Sequence, residues 1–437
     1  MATTKDLLTA LGESILSSHE LLGRLSVSRP TLSRLVADAT PQVVRIGHSR
    51  ATRYAAARSI DKVAVPIPVR RIASDGSPST VGSLYPLAGR RHLLVQEAST
   101  VLYEGIPPVI EDMRPQGFLG RRFAERNSDL DLPPRVEDWS ADDILLALSQ
   151  RGEDAIGDLI LGDASFDRWL SSAPSEVTRA EFPNRANAMA LGDLGSSAGG
   201  EHPKFTAWSG GRQVLVKYAG GENEGPVALR WRDLLVCEAL ALKLLDEAGI
   251  PAARAEWFDV GAMRFLEVER FDRLGPRGRR GVVSLGAWDN EFLGAHRSWT
   301  SASIEMAARG ELSPADARKV RWLDVFGDLI ANSDRHFWNV TFFWDSVGTP
   351  VLAPCYDMLP MLFAPGATGI IDRPFSPAAP TSATLDVWAE AAEQAAIFWD
   401  RVNRSAEISP SFRQLAARCG EQLSRKRAEL AHLTPAR

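Results

Sequence analysis

The chain has 437 residues, which at about 100–200 residues per domain makes about two to four domains. Its 45 % hydrophobic and 24 % charged residues are a globular balance and exclude a disordered chain or a coiled coil. No run of about 18 apolar residues predicts a membrane-spanning helix, and the N-terminal residues lack the basic-then-apolar pattern of a secretory signal.

Cys237, Cys355 and Cys419 are far apart and odd in number, so no disulfide framework or zinc knuckle is expected, and a reducing cytoplasm is the expected compartment. The net charge of −5 is unevenly spread: residues 1–60 carry eight Lys/Arg against four acids, a net +4, leaving −9 for the remainder. A basic end on an acidic body points to a polyanionic partner for the first segment alone.

In chain order, residues 4–14 predict a short helix with Leu7, Leu8 and Leu11 on one face. Ser17 or Ser18 caps a second, with Leu21, Leu22 and Leu25 inward, and Ser28 caps a third with Pro30 in its first turn. Two strand-like runs follow, at 43–47 and 52–56, joined by His48-Ser49-Arg50 as a hairpin tip. Helices followed by a hairpin are the winged helix-turn-helix order, so 1–60 is read as a DNA-binding domain. Its third helix would offer Arg29, Thr31, Ser33 and Arg34 to bases, and its wing Arg45, Arg50 and Arg53 to phosphates. A protein-interaction module is the competing reading.

Residues 61–125 hold short apolar runs broken by Gly and Pro and predict a small β-rich domain. Residues 126–139 read as a linker, and Ser140 with Asp143 three residues on opens a helix. From 192 a Gly-rich stretch precedes a strand, RQVLVKYA, at 212–219. A helix at about 228–248 ends at Gly249, the runs AEWFDVG and MRFLEVERF predict a hairpin, and the chain after 300 is mainly helical.

The segment ANSDRHFWNVTFFWD at 331–345 carries the chemistry. Asp334 and Asn339 have the Asp-x4-Asn spacing of a kinase catalytic loop, in which the Asp accepts a hydroxyl proton and the Asn binds Mg²⁺. Asp357 follows eighteen residues after Asn339, behind an apolar run, as a second oxygen ligand for that hard cation. Lys217 on the VLVK strand suits a phosphate-pairing lysine, with Glu238 on the next helix as its ion-pair partner. The glycines before that strand, Gly199 and Gly200 among them, can offer backbone N–H groups to phosphates. The order Gly-loop, strand Lys, helix Glu, hinge strand, Asp-x4-Asn, Asp favours an ATP-dependent protein kinase. A transcriptional regulator with a nucleotide-sensing body and a small-molecule kinase remain the alternatives.

These residues also resemble the HipA-like serine/threonine kinases, the toxins of bacterial toxin–antitoxin systems. The likeness is carried by SSAGGEHPK (196–204), VLVK (214–217), Glu238, VERFDR (268–273), NSDRHFWN (332–339) and APCYDM (353–358). With YEGIPPVIEDMRPQGFLGR (103–121) and the N-terminal helices, the chain is most similar to the YjjJ subgroup.

The resemblance implies an α+β fold: a bilobal, protein-kinase-like body with a β-rich N-terminal subdomain. The domains would be 1–60, 61–175 and 176–437, the last with an N-lobe to about 275 and a helical C-lobe beyond. It implies ATP and Mg²⁺ as cofactors, Asp334 as base, Asn339 and Asp357 as Mg²⁺ ligands and Lys217 on the phosphates. Glu269 and Phe271 would be hinge residues whose backbone meets adenine, and His336 a hydrogen-bonding member of the loop. Ser196 or the adjacent Ser197 would be the autophosphorylated serine. Aminoacyl-tRNA synthetases are the kind of protein substrate implied. The helix-turn-helix in the same chain leaves the need for a separate antitoxin open.

Overall fold

The computed structural model describes residues 2–431 apart from 48–50, 98, 191–201, 221–224, 295–296, 346–347, 367 and 372. The chain divides into two compact units: Met1–Gln116 with Gly120–Ala173, and Gly117–Leu119 with Pro174–Arg437.

The first unit opens with helices Thr4–Leu11, Ser18–Leu25 and Arg29–Asp38. Each starts where a hydroxyl replaces the missing helical partner of a first-turn amide. Thr3, Ser17 and Ser28 accept from the N–H of Asp6, Glu20 and Thr31. Their inward leucines (Leu7, Leu11, Leu21, Leu32 and Leu35) form a core with Leu16 and Val43. Strands Val43–Ile46 and Arg53–Ala56 pair antiparallel, and the two-residue strand Leu16–Ser17 adds to the second of them. That short strand is invisible as a pattern because two residues carry no periodicity. The expected hairpin tip lies outside the described residues.

A five-stranded antiparallel sheet follows, in the order Thr100–Tyr103, His92–Gln96, Pro78–Pro86, Ile67–Ile72, Leu159–Leu161. The β-rich segment expected to reach 125 stops at Tyr103. Pro108 sits in the first turn of a helix, where its missing N–H costs nothing, and Pro108–Asp112 and Gly117–Arg126 are helical. The fifth strand comes instead from Leu159–Leu161, antiparallel to Val69–Arg71. Helix Ala141–Arg151 begins at Ser140, whose hydroxyl accepts from the Asp143 N–H as expected. Val44 and Ala55 of the N-terminal sheet share a core with Leu87 and Leu93 of this one.

The second unit holds a four-stranded antiparallel sheet in the order Ala255–Val260, Met263–Glu269, Arg212–Ala219, Lys204–Ser209. Helix Pro226–Glu247 faces it with Leu235 and Ala239, and turns Leu234, Leu242 and Leu245 into the main core. It ends before Gly249, whose φ of +73° is the left-handed position that stops a helix.

Helices Trp299–Ala308, Pro314–Leu329, Leu385–Arg404 and Pro410–Glu429 complete the unit with a small sheet of Val282–Ser284, Thr341–Phe343 and Val351–Leu352. Trp299, Trp322, Phe326, Phe398, Trp399 and Phe412 fill its core. Burying each such phenylalanine contributes about 1.5–3 kcal/mol, so this core is a main source of the unit's stability. The fold is mixed α/β, and no described helix is long and apolar enough to cross a membrane.

Candidate active site

On the strand Arg212–Ala219, Lys217 points away from the face of Val214 and Val216, and it is 5 % exposed. Its ammonium donates to both oxygens of Glu238, at 2.8 and 2.7 Å, and also to the carboxylate of Asp357. The pairing foreseen between strand and helix is present, and Asp357 joins it. Burial works against the charge on Lys217, but Asp357 and Glu238 together outweigh it and raise its pKa. Burial also pushes Asp357 up, yet Lys217 and then Lys204 reverse this and hold its carboxyl below the usual range. Glu238 moves the other way: its complete burial pushes it up despite Lys217.

Asp334 and Asn339 lie on the irregular segment between helix Pro314–Leu329 and strand Thr341–Phe343. Asp334 is exposed as a residue, but burial about its carboxyl pushes it above the ordinary value. His336 and Lys204 pull it down, and Asp357 adds to the rise. Asn339 is buried and its Nδ2 donates to the Asp334 carbonyl at 2.9 Å. Its Oδ1 is therefore the atom left for a cation.

The loop is gripped along its length. The Trp299 indole donates to the His336 carbonyl at 3.0 Å, and the Tyr356 hydroxyl donates to the Trp338 carbonyl at 2.6 Å. Trp338 lies on Gly286, where a Cβ would come within 2.7 Å of the indole ring. Such bonds hold a site in its working geometry before a ligand arrives.

Glu269 and Phe271, expected at a hinge, are near one another in the chain but differently engaged. Glu269 ends its strand, its N–H donating to the Arg254 carbonyl at 2.9 Å and its carboxylate accepting from Arg212 at 3.2 Å. Phe271 packs its ring against Tyr356 and Phe343, at centroid distances of 5.7 and 5.8 Å. Ser196, Ser197, Gly199 and Gly200 lie outside the described residues.

Lys204, Asn332 and Arg335 were not singled out by spacing. Lys204 stands directly opposite Lys217 across two antiparallel strands, so both side chains share one sheet face. Only the strand register reveals this. Two lysines then face the three carboxylates Glu238, Asp334 and Asp357. Among the described residues no cluster of three or more His, Cys, Asp or Glu could hold a metal by itself. The Asp357 carboxylate and the Asn339 amide oxygen nevertheless fit Mg²⁺, which takes few protein oxygens and completes its shell with water and phosphate.

At the other end of the chain, Arg29, Ser33 and Arg34 are exposed on helix Arg29–Asp38. Thr31 is half-buried and its hydroxyl pairs with Ser28 at 2.9 Å, so it serves the helix cap. Arg45 and Arg53 are exposed on the hairpin strands, Arg45 donating to the Thr52 hydroxyl at 3.3 Å, and Arg50 lies outside the described residues.

Residues 63–170 match the family described as YjjJ-like toxin, middle domain, and residues 196–429 the HipA-like C-terminal domain. Toxin YjjJ of Escherichia coli (strain K12) is 33 % identical over 432 residues, 95 % of this chain and 97 % of that protein. Among solved structures, HipA of the Shewanella oneidensis MR-1 toxin–antitoxin system, in complex with HipB and its operator DNA, is 16 % identical. It covers 82 % of this chain and 97 % of its own with a TM-score of 0.53, a likeness of fold. The Helicobacter pylori proinflammatory kinase CtkA is 11 % identical, covering 53 % of this chain and 94 % of its own at a TM-score of 0.38. With a relative of that identity spanning nearly its whole length, and with HipA-like sequence through its second unit, the chain belongs to the HipA-like toxin family, in its YjjJ-like branch.

Proposed function

We propose that the chain is an ATP- and Mg²⁺-dependent serine/threonine protein kinase of the HipA toxin type. One observation carries this reading: the buried Lys217–Glu238 pair, joined by the half-buried Asp357, is accompanied by a loop that presents Asp334 and Asn339 at kinase spacing. Asp334 takes the proton of the acceptor hydroxyl as its oxygen bonds to the γ-phosphorus and the bond to ADP breaks. Lys217, oriented by Glu238, holds the nucleotide phosphates, and the backbone at Glu269 and Phe271 takes the adenine. When bound at Asn339 Oδ1 and Asp357, Mg²⁺ supplies charge neutralisation on the phosphates. His336 supports the nucleotide side of the loop.

In this reading residues 1–60 are a winged helix-turn-helix, 61–175 the HipA N-terminal-like subdomain, and 176–437 a two-lobed kinase domain. Residues 1–60 bind DNA for autoregulation, as Arg29, Arg34 and Arg53 are exposed and this segment is basic. Ser196 or Ser197 is autophosphorylated, and a phosphate there, carrying about −1.5 to −2 charges, repels the nucleotide.

Incubation with radiolabelled ATP and Mg²⁺ in a protein extract tests the reading. Wild type is expected to label itself and a protein acceptor, and Asp334→Asn to label neither. Equal labelling by both would overturn it. Mass spectrometry of the labelled chain is expected to place the mark at Ser196 or Ser197.

A further inference from the structure

Asn332 is 1 % exposed and is bonded in four directions. Its N–H donates to the Gly327 carbonyl at 2.8 Å, and its own carbonyl accepts from the Arg335 guanidinium. Its Oδ1 accepts from the Asp334 N–H at 3.1 Å, and its Nδ2 donates to the Asp357 carbonyl at 3.2 Å. One amide thus grips the backbone of two residues that the chemistry needs in register.

The Asp357 end of this grip has a particular task. Asp357 has a φ of +53°, a region that is uncommon outside glycine though Asp tolerates it better than most, so neighbouring bonds help to hold it there. The bond from Asn332 to its carbonyl is one of these. The next residue, Met358, is fully buried, with its sulfur 3.7 Å from the same Nδ2.

Asn332 is itself anchored. Arg335 lies across helix Pro314–Leu329 at Gly327, where a Cβ would come within 2.6 Å of its Cδ. Its guanidinium meets Asp324 at 3.3 Å and Asp328 at 3.2 Å, one helical turn apart.

We infer that Asn332 is a positioning residue that couples the base to the metal-binding carboxylate, holding the left-handed turn at Asp357 against the loop of Asp334. The coupling rests on this geometry alone; its consequence for catalysis rests on the kinase reading above.

Two variants separate the arms of the grip. Asn332→Asp keeps an oxygen for the Asp334 N–H but turns an acceptor towards the Asp357 carbonyl. Asn332→Ala removes both bonds, carries no buried charge, and decides the matter if the first variant does not fold. Hydrogen exchange is measured on the full chain without nucleotide or metal.

In Asn332→Asp, peptides covering 353–359 are expected to exchange about tenfold faster, with those covering 332–336 within about twofold of wild type. In Asn332→Ala both sets are expected to speed up. Unchanged exchange at 353–359 in every folded variant overturns the inference. So does equal acceleration in helix Leu385–Arg404, which marks a general loss of stability.

In phosphoryl transfer, Asn332→Ala is expected to raise the half-saturating Mg²⁺ about 10–100-fold while the ATP KM at saturating Mg²⁺ stays within about twofold. A lower kcat with unchanged Mg²⁺ dependence would confine Asn332 to the base and overturn the coupling. Wild type and Asp334→Asn are assayed alongside. If wild type transfers no phosphate, the kinase reading fails, and the exchange result still decides the coupling.

Discussion

The loop of residues 331–340 and the helix Arg29–Asp38 each present polar side chains to a proposed ligand, and they hold them in opposite ways. In the loop, the backbone and the two asparagine side chains are pinned: Asn339 to the Asp334 carbonyl, Asn332 to Asp334 and Asp357, and the Trp299 indole to the His336 carbonyl, around an exposed Asp334. On the helix only Thr31 is tied, into the cap, while Arg29, Ser33 and Arg34 extend into solvent. Chemistry at a phosphorus atom demands a geometry fixed in advance, because displacements of about 1 Å cost about 10²-fold in rate. Binding a polyanion demands charge in the right area, and exposed arginines provide it.

The largest effect that would break this contrast is loss of the loop's chemistry. Asp334→Asn is expected to lower phosphoryl transfer about 10²–10⁴-fold, and Asp357→Ala at least as far, with the melting temperature little changed for the first. Transfer near wild type in Asp357→Ala would remove it from the proposed metal site.

Next comes the buried ion pair. Lys217→Met strands Glu238 without its cation, and breaking such a pair costs about 3–5 kcal/mol, read from denaturant unfolding. Burial raises the pKa of Glu238 in the folded state even with Lys217 present. Its protonated form is therefore the better tolerated in the variant, whose stability should fall as pH rises through the carboxylate range. A variant whose stability rises over that range would show that Glu238 finds another cation.

The pH profile of transfer sharpens the picture by about one unit of slope. Asp334 must be deprotonated to act as base, and burial raises its pKa, so log kcat/KM should fall as pH drops through a point above the ordinary 3.8. Asp357 is held low by Lys217 and should not contribute to that limb.

The smallest effects belong to residues 1–60, at Arg53 on its strand and Arg34 on the helix Arg29–Asp38. Arg53→Ala should reduce the log–log salt slope of DNA binding by about 0.9 on every sequence, whereas Arg34→Ala should cost about 1–3 kcal/mol on a preferred site alone. Anisotropy titration of the full chain measures both, and no binding at low salt would make this segment an interaction module.

Much of the proposed site is legible in sequence because its members are spaced by secondary structure. In VLVK the two valines share one face and Lys217 takes the other, where the long helix after it brings Glu238. Lys204 was not legible, since its position opposite Lys217 depends on strand register. Nor was the grip of Asn332 on Asp357, which joins residues 25 apart through a backbone turn that no spacing encodes. In the fold, capping residues marked helix starts well: Ser17, Ser28 and Ser140 all accept first-turn amides. The strand Leu159–Leu161 is not legible, because three buried residues look like any short apolar run.

That same strand sets an order of events in synthesis. Ile67–Ile72 pairs on one side with Pro78–Pro86, a nearby partner, and on the other with Leu159–Leu161, its partners lying up to 92 positions further along, as Val69 with Leu161. Closing a long loop comes late and slowly compared with a hairpin. While the ribosome is still adding the intervening helices, one edge of Ile67–Ile72 waits with unpaired N–H and C=O groups. Nascent chains stalled before residue 159 should therefore expose an adhesive strand that the finished protein conceals.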